Sequence, residues 1–355
     1  MATPKFLEFF AGSGLVAEGL RPYFAVAWAN DICAKKATVY TENHGNNHFY
    51  LGSITDVTGQ DLPAAELSWA SFPCQDLSLA GLNGGIRAKR SGLVWEWLRI
   101  MDEMQGRPQI LVAENVTGLL SAMDGQHYRV LHATLRDRGY LVGAVVLDAA
   151  LWVPQSRPRV FVLAVKEGCR LPPELIDTGP NWMHPAYLVK AAKGMEGFVF
   201  WKTPPPPMRN STLSDLIEWD APVDDAAATH GKLSLITDSH RAKLIQHTDF
   251  VAPGYKRTRK AKQVLELRFD GIAGCLRTAR GGSSRQVLVL KRGGQCITRL
   301  LTVRETARLM GAPDTYKIPG SYNEGYTAMG DAVAMPVAHH LAKYLLAPLE
   351  KALRD

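Results

Sequence analysis

The chain has no uncharged apolar run of about 18 residues, so nothing in it reads as a membrane-spanning helix. Cysteine is scarce. Only Cys33, Cys74, Cys169, Cys275 and Cys296 occur in 355 residues, and no two form a Cys-x-x-Cys pair. An odd, scattered set excludes a disulfide framework and offers no structural zinc site, so the expectation is no metal and a reducing compartment. The N-terminus shows no basic start followed by an apolar stretch and a small-residue cleavage site, which points to the cytoplasm. The 31 glycines and 21 prolines follow no short repeat, which excludes a fibrous class. Hydrophobic material is not lacking: 46% hydrophobic against 21% charged residues is ample for a packed core, and the length suits roughly two folding units.

What is present begins with charge. There are 41 Lys and Arg against 34 Asp and Glu, a net +7, which weakly favours an anionic partner. The placement of that charge says more than its sum. To about Lys166, short apolar runs alternate with helical patterns. Strands are expected at Lys5–Phe10, Tyr23–Ala29, Glu66–Ser71, Gln109–Glu114, Leu141–Leu147 and Arg159–Val165, and helices at Gly14–Leu20, Ala34–His44 and His127–Arg138. Such alternation implies a mainly parallel sheet, with ligands beyond the carboxyl ends of its strands. Pro204–Pro207 then reads as a stiff connector, followed by acids (Asp215, Glu218, Asp220, Asp224, Asp225). Between Lys256 and Arg299 stand twelve Lys and Arg against only Glu266 and Asp270. Helical patterning returns at Val303–Met310 and Val337–Leu349. The layout suggests a catalytic and cofactor-binding domain over 1–204, a smaller basic domain over 205–298, and a segment over 299–355 that rejoins the first.

Three groups of residues carry chemistry. Phe10-Ala11-Gly12-Ser13-Gly14 follows the first strand and opens a helix, where glycines let the backbone approach a ligand. A dinucleotide fingerprint would want glycine at 17, where Ala17 stands, so the loop alone also suits an ordinary tight turn. Asn30-Asp31 closes the second strand, where an acid either accepts ribose hydroxyls or caps a helix. Loop and acid together favour an adenosine-containing cofactor. The second group is Phe72-Pro73-Cys74-Gln75, a thiol at the functional edge of the sheet. The third comprises Glu114-Asn115-Val116 and Gln155-Ser156-Arg157-Pro158-Arg159. An isolated cysteine is most often buried filler. Here a carboxyl and two guanidinium groups are also placed at the ends of strands.

These blocks, with Arg299-Leu300-Leu301-Thr302-Val303-Arg304-Glu305 and Tyr326–Val333, occur in order from residue 6 to about 340. In that order the chain resembles the bacterial-type C5-cytosine-specific DNA methyltransferases. The resemblance implies an α/β fold: a Rossmann-like, doubly wound sheet of the S-adenosylmethionine-dependent methyltransferase kind, with a second, smaller target-recognition domain at 205–298. It implies DNA (cytosine-5-)-methyltransferase activity on a flipped-out cytosine in a short duplex sequence. Cys74 would add to C6, Glu114 would contact N3 and the exocyclic amine, Arg159 would hold O2, and Arg157 would line the same catalytic site. Asn115 and Val116 would shape the turn.

The cofactor, S-adenosylmethionine (leaving as S-adenosylhomocysteine), would touch Phe10, Gly12, Ser13, Gly14, Leu15, Asp31, Ile32, Ser53, Ile54, Pro73 and Leu93. Asp331, Ala332 and Val333 would close over its methionine end. Two departures from the family pattern are Ser53, where an acid often reaches the adenine, and Asp331-Ala332 in place of Asn-Ser. DNA would meet Gln75, Ser78, Lys256, Arg257, Arg259, Lys260, Arg277, Arg280, Gly281, Gly282 and Arg285. Arg280 and Arg285 are the candidates for base edges, and the Lys256–Lys262 run is the candidate for phosphates. The loop Ala80–Arg90 would act as a lid. A monomer, bacterial or phage-encoded and working on nucleoid DNA, is expected, with a separately encoded restriction endonuclease as a partner.

Overall fold

The computed structural model describes residues 2–73, 92–168, 171–278 and 285–354. The chain divides into two compact units. The first comprises Met1–Asp148, Pro158–Pro206 and Val337–Asp355; the second comprises Ala149–Arg157 and Pro207–Pro336. The sequence reading put the divisions at 204/205 and 298/299. Here 149–157 and 299–336 instead group with the second unit, because the side chains of Gln155 and Arg157 bond to backbone of that unit.

The first unit is built on β1 (Lys5–Phe9), β2 (Ala25–Asp31), β3 (Phe49–Leu51), β4 (Leu67–Ala70), β5 (Ile110–Val116), β6 (Tyr140–Asp148) and β7 (Pro158–Lys166). These form one sheet in the order β3-β2-β1-β4-β5-β7-β6. β3, β2, β1, β4 and β5 pair in parallel, as expected; β7 pairs antiparallel with both neighbours. The direction of β7 follows from its connection. Residues 149–157 are too few for the crossover helix that a parallel return requires. A minor pair, β8 (Ile176–Asp177) and β9 (Phe200–Trp201), completes the strands of this unit.

β4 is buried along its whole length and β5 over its first six residues, so Leu67, Trp69 and Ala70 and the run Ile110–Ala113 are dense in apolar side chains rather than alternating with exposed polar ones. The helices are α1 (Leu15–Leu20), α2 (Ala34–His44), α3 (Leu93–Glu103), α4 (Gln126–Arg136) and α5 (Ala186–Ala192). Val94, Trp97, Leu98 and Met101 of α3 recur at three- and four-residue spacing and pack with Tyr128, Leu131 and Leu135 of α4 in the main core.

The second unit carries α6 (Leu213–Leu216), α7 (Ala226–Ser234) and α8 (Asp238–Ile245), then β10 (Phe250–Arg259), β11 (Lys262–Leu267), β12 (Val287–Arg292) and β13 (Gln295–Leu300). The strands form an antiparallel sheet in the order β11-β10-β12-β13. β10 and β11 are joined by Lys260-Ala261, both with positive φ (46° and 64°), the twist that a two-residue hairpin needs. α9 (Val303–Leu309) and α10 (Tyr322–Asp331) follow, each started by a capping box: Thr302 with Glu305, and Ser321 with Glu324. The last helices are α11 (Met335–Leu341) and α12 (Ala347–Arg354). No helix among the described residues is long and apolar enough to cross a membrane.

Candidate active site

At the end of β1 the chain turns sharply. Phe10 and Gly12 both adopt φ 58°, and Gly14 adopts φ 79° at the start of α1. A Cβ on Gly14 would lie 2.7 Å from His44 Cδ2 and 2.9 Å from Tyr40 Cδ2, so only glycine fits there. At Gly12 the nearest atom to such a Cβ is Phe10 O, 3.9 Å away, so the backbone stays open to approach. The loop is anchored from β2. The Asp31 carboxylate accepts from Gly12 N (2.9 Å) and Cys33 N (2.8 Å), while the Asn30 amide donates to Gly52 O (2.8 Å). Asp31 therefore shapes the loop with its two oxygens, each of which has a further lone pair for a ligand hydroxyl.

His44 was not singled out by sequence reasoning. Its Nε2 lies 3.0 Å from Gly14 O, an acceptor, so that nitrogen carries the hydrogen. Burial pushes the His44 pKa down to about 4, which keeps the ring neutral. The signal was legible in principle, since Tyr40 and His44 share one face of α2 by their four-residue spacing.

The other expected cofactor residues of this unit are disposed unequally. Ile32 is 73% exposed beside Asp31, and Pro73 is exposed. Phe10 and Leu93 are half-buried. Ser13, Leu15 and Ile54 are buried, Ile54 within the main core. Ser53 caps the 3-10 turn Ile54–Asp56 by accepting from Thr55 N at 3.3 Å. In the second unit, Asp331 is exposed and accepts from Thr278 Oγ1 (2.5 Å), while Ala332 and Val333 are buried.

Glu114 and Arg159 come together. β5 and β7 are antiparallel with Val116 opposite Arg159, so Glu114 is the diagonal neighbour of Arg159. Arg159 Nε lies 3.2 Å from Glu114 Oε1, with side-chain exposures of 14% and 9%. A nearly buried, charge-assisted pair holds a carboxyl in one orientation. Asn115, between them in register, donates its side-chain amide to Phe72 O (2.9 Å) and accepts from Val116 N (2.9 Å). It thereby ties the stretch ending in Phe72-Pro73 to the end of β5. Cys74, Gln75, Ser78 and the loop Ala80–Arg90 lie outside the described residues.

Arg157 belongs to the second unit, 2% exposed, and its donors meet protein acceptors rather than open space. Nη1 bonds to Leu276 O (3.0 Å) and Cys275 Sγ (3.3 Å), and Nη2 to Gly330 O (2.9 Å) and Ala332 O (2.6 Å).

The expected DNA contacts are also spread. Arg257 and Arg259 project on one face of β10 and both pair with Glu266 of β11, at 3.8 and 2.6 Å. Lys256 is half-buried, and Lys260 is exposed at the hairpin tip. Arg277 and Arg257 lie over the Tyr255 ring at 5.2 and 5.4 Å. Arg285 lies 5.8 Å from the centre of the Tyr322 ring and bonds to Asn323. Arg280, Gly281 and Gly282 lie outside the described residues. Among the described residues no cluster of His, Cys, Asp or Glu could hold a metal ion.

The chain is similar to two curated methyltransferases over almost its whole length. Identity is 26% to the type II methyltransferase M.MspI of Moraxella sp, covering 96% of this chain and 70% of that protein. It is 25% to the type II methyltransferase M.HhaI of Haemophilus parahaemolyticus, covering 95% and 93%. Among solved structures, the S. pombe Dnmt2 methyltransferase superposes with a TM-score of 0.61 at 18% identity, over 99% of each chain, which establishes a shared fold. The sequence profile of the C-5 cytosine-specific DNA methylases matches residues 4–347, and the chain, an enzyme of cytosine-C5 methylation in DNA, belongs to that family.

Proposed function

We propose that the chain methylates C5 of a cytosine flipped out of a short, specific duplex sequence, using Cys74 as a transient covalent nucleophile. The observation that carries this reading is the Asn115 tie to Phe72 O, which joins the stretch entering Pro73-Cys74 to the strand end bearing the Glu114–Arg159 pair. Cytosine C5 is too weak a nucleophile to take a methyl group unaided. The Cys74 thiolate gives its electron pair to C6, breaking the C5–C6 double bond and making C5 enamine-like. Glu114, in its acid form, donates a proton to N3 as that charge develops, and Arg159 holds O2 while fixing the carboxyl. Once C5 carries the methyl group, loss of the C5 proton to water re-forms the C5–C6 double bond as the S–C6 electrons return to Cys74, and the N3 proton returns to Glu114, restoring the neutral aromatic ring. The base must leave the stack for any of this to occur.

The open backbone at Gly12, the anchored Asp31 carboxylate and exposed Ile32 suit an adenosine with its ribose hydroxyls and apolar ring. Phe10, Gly12, Ser13, Gly14, Leu15, Asp31, Ile32, Ser53, Ile54, Pro73 and Leu93 are assigned to hold S-adenosylmethionine, with Asp331–Val333 at its methionine end. When bound, it supplies the methyl group. The duplex is assigned to the basic second unit, through Lys256, Arg257, Arg259, Lys260, Arg277, Arg280–Gly282 and Arg285, with Gln75 and Ser78 beside the flipped base. The enzyme is assigned to the cytoplasm as a monomer; where it serves restriction-modification rather than an orphan or phage role, its partner is a separately encoded endonuclease.

The test is base-resolution 5-methylcytosine mapping of DNA from a methylation-free host expressing the chain. Dense methylation at one short motif is expected; absence of signal from folded protein would overturn the reading. Cys74→Ser should no longer be trapped on duplexes containing 5-fluorocytosine while still binding S-adenosylhomocysteine.

A further inference from the structure

The stretch Ile272–Thr278 leads towards the residues assigned to DNA reading, yet it lies in no named strand. Buried side chains hold its backbone instead. The Gln286 side chain, fully buried, accepts from Gly274 N (3.0 Å) and donates to Gly274 O (2.7 Å). Tyr255 OH donates to Cys275 O (2.6 Å), and Gln155 Oε1 accepts from Leu276 N (3.0 Å). Arg157 adds Leu276 O through Nη1, while its other terminal nitrogen donates to Gly330 O and Ala332 O, in the segment assigned to the cofactor. All four N–H groups on the two terminal nitrogens have acceptors among these carbonyls and Cys275 Sγ, so the two ends of the fork are spent on holding these segments rather than on a base. The two segments also touch directly. A Cβ on Gly330 would sit 2.6 Å from Arg277 O, and Thr278 Oγ1 donates to Asp331 Oδ1 at 2.5 Å.

We propose that Arg157 is a positioning residue that locks the DNA-reading segment and the cofactor-side segment of the second unit into one body, so that recognition of the duplex and retention of the cofactor are coupled. A planar fork with two separately placed nitrogens can serve two segments at once; a lysine ammonium cannot. The coupling is reciprocal: whatever the duplex does to cofactor affinity, the cofactor does to duplex affinity. The inference rests on the function proposed above and assigns Arg157 a role in it other than lining the base.

The test uses the full-length enzyme, S-adenosylhomocysteine, and a duplex carrying the motif found by mapping. Calorimetry measures S-adenosylhomocysteine affinity with and without the duplex, and the readout is the ratio of the two. The wild type should bind several-fold tighter with the duplex present. Arg157→Lys should cut that ratio by roughly fivefold or more, and Thr278→Val, which removes only the outer tie, by less. A wild-type ratio of one, or an unchanged ratio in a folded Arg157→Lys protein, overturns the proposal. A fall in kcat with the ratio intact also overturns it, by returning Arg157 to the target base. If Arg157→Lys does not fold, Thr278→Val decides alone, and an unchanged ratio there is equally fatal. Absence of any methylated motif in the wild-type mapping is a different failure, that of the proposed function itself.

Discussion

In the first unit, β4, β5 and α3 are held by what their side chains bury. In the second, the stretch Ile272–Thr278 and the turn from β13 into α9 are held by hydrogen bonds between side chains and backbone. Trp97, Leu98, Ile100 and Met101 are at most 1% exposed in a common apolar core. Arg299 and Glu305 are as deeply buried but charged, at 3% and 1% side-chain exposure, and their network includes Thr302 N, Glu218 N and Glu218 O. The difference matters for tolerance. An apolar core accepts another hydrophobe of similar volume, whereas a buried polar network fails when one partner changes shape.

The largest expected effect tests the pair on β5 and β7. Glu114→Gln keeps the shape but loses the acid, and kcat should fall by roughly 10²–10⁴-fold while the thermal unfolding transition remains cooperative. A fall of less than about tenfold would remove Glu114 from the proton transfer.

Stability measurements address the two units directly. Trp97→Ala and Arg299→Met should each cost about 3–5 kcal/mol by urea unfolding, the first through a cavity and the second through an unpaired buried carboxylate. The conservative swaps should then separate. Trp97→Phe should recover much of the loss, whereas Arg299→Lys should not, because the fork is gone. An Arg299→Lys protein as stable as wild type would erase the distinction.

Acid should act on the first unit. Burial pushes His44, His184 and His340 down to about 4. These rings are neutral when folded but take up a proton near 6.5 when unfolded, so their stabilisation is complete above that pH and is lost as pH falls towards 4. Each should forfeit about 1–2 kcal/mol between pH 7 and pH 5, read from urea midpoints by tryptophan fluorescence. Equal midpoints at the two pH values would contradict the burial of these rings. The smallest effect is at the hairpin tip: Ala261→Gly should relieve a positive φ and gain about 0.5 kcal/mol, with activity unchanged.

The strands of the first unit were legible because parallel strands buried on both faces leave dense apolar runs, and the expected ranges fall on β1, β2, β4, β5, β6 and β7. β3, three residues with two of them exposed, carries too little apolar signal to register. The antiparallel course of β7 was not foreseen, since strand direction lies in the length of the connection rather than in the strand's composition. Glu114, Arg157 and Arg159 could be singled out from the order of short blocks, but their partners could not.

From the sequence alone came the alternating strands and helices, the glycine turn after β1, the basic character of the later segment and the family. Each depends on local spacing or on blocks in a fixed order. Which atoms the key side chains serve was decided only in three dimensions. His44 reaches Gly14 O across 30 residues, Asn115 reaches Phe72 O across 43, and Arg157 reaches Leu276 O and Ala332 O across 119 and 175. A hydrogen bond is satisfied by distance and direction, and neither has any counterpart in sequence separation once the chain has folded back on itself.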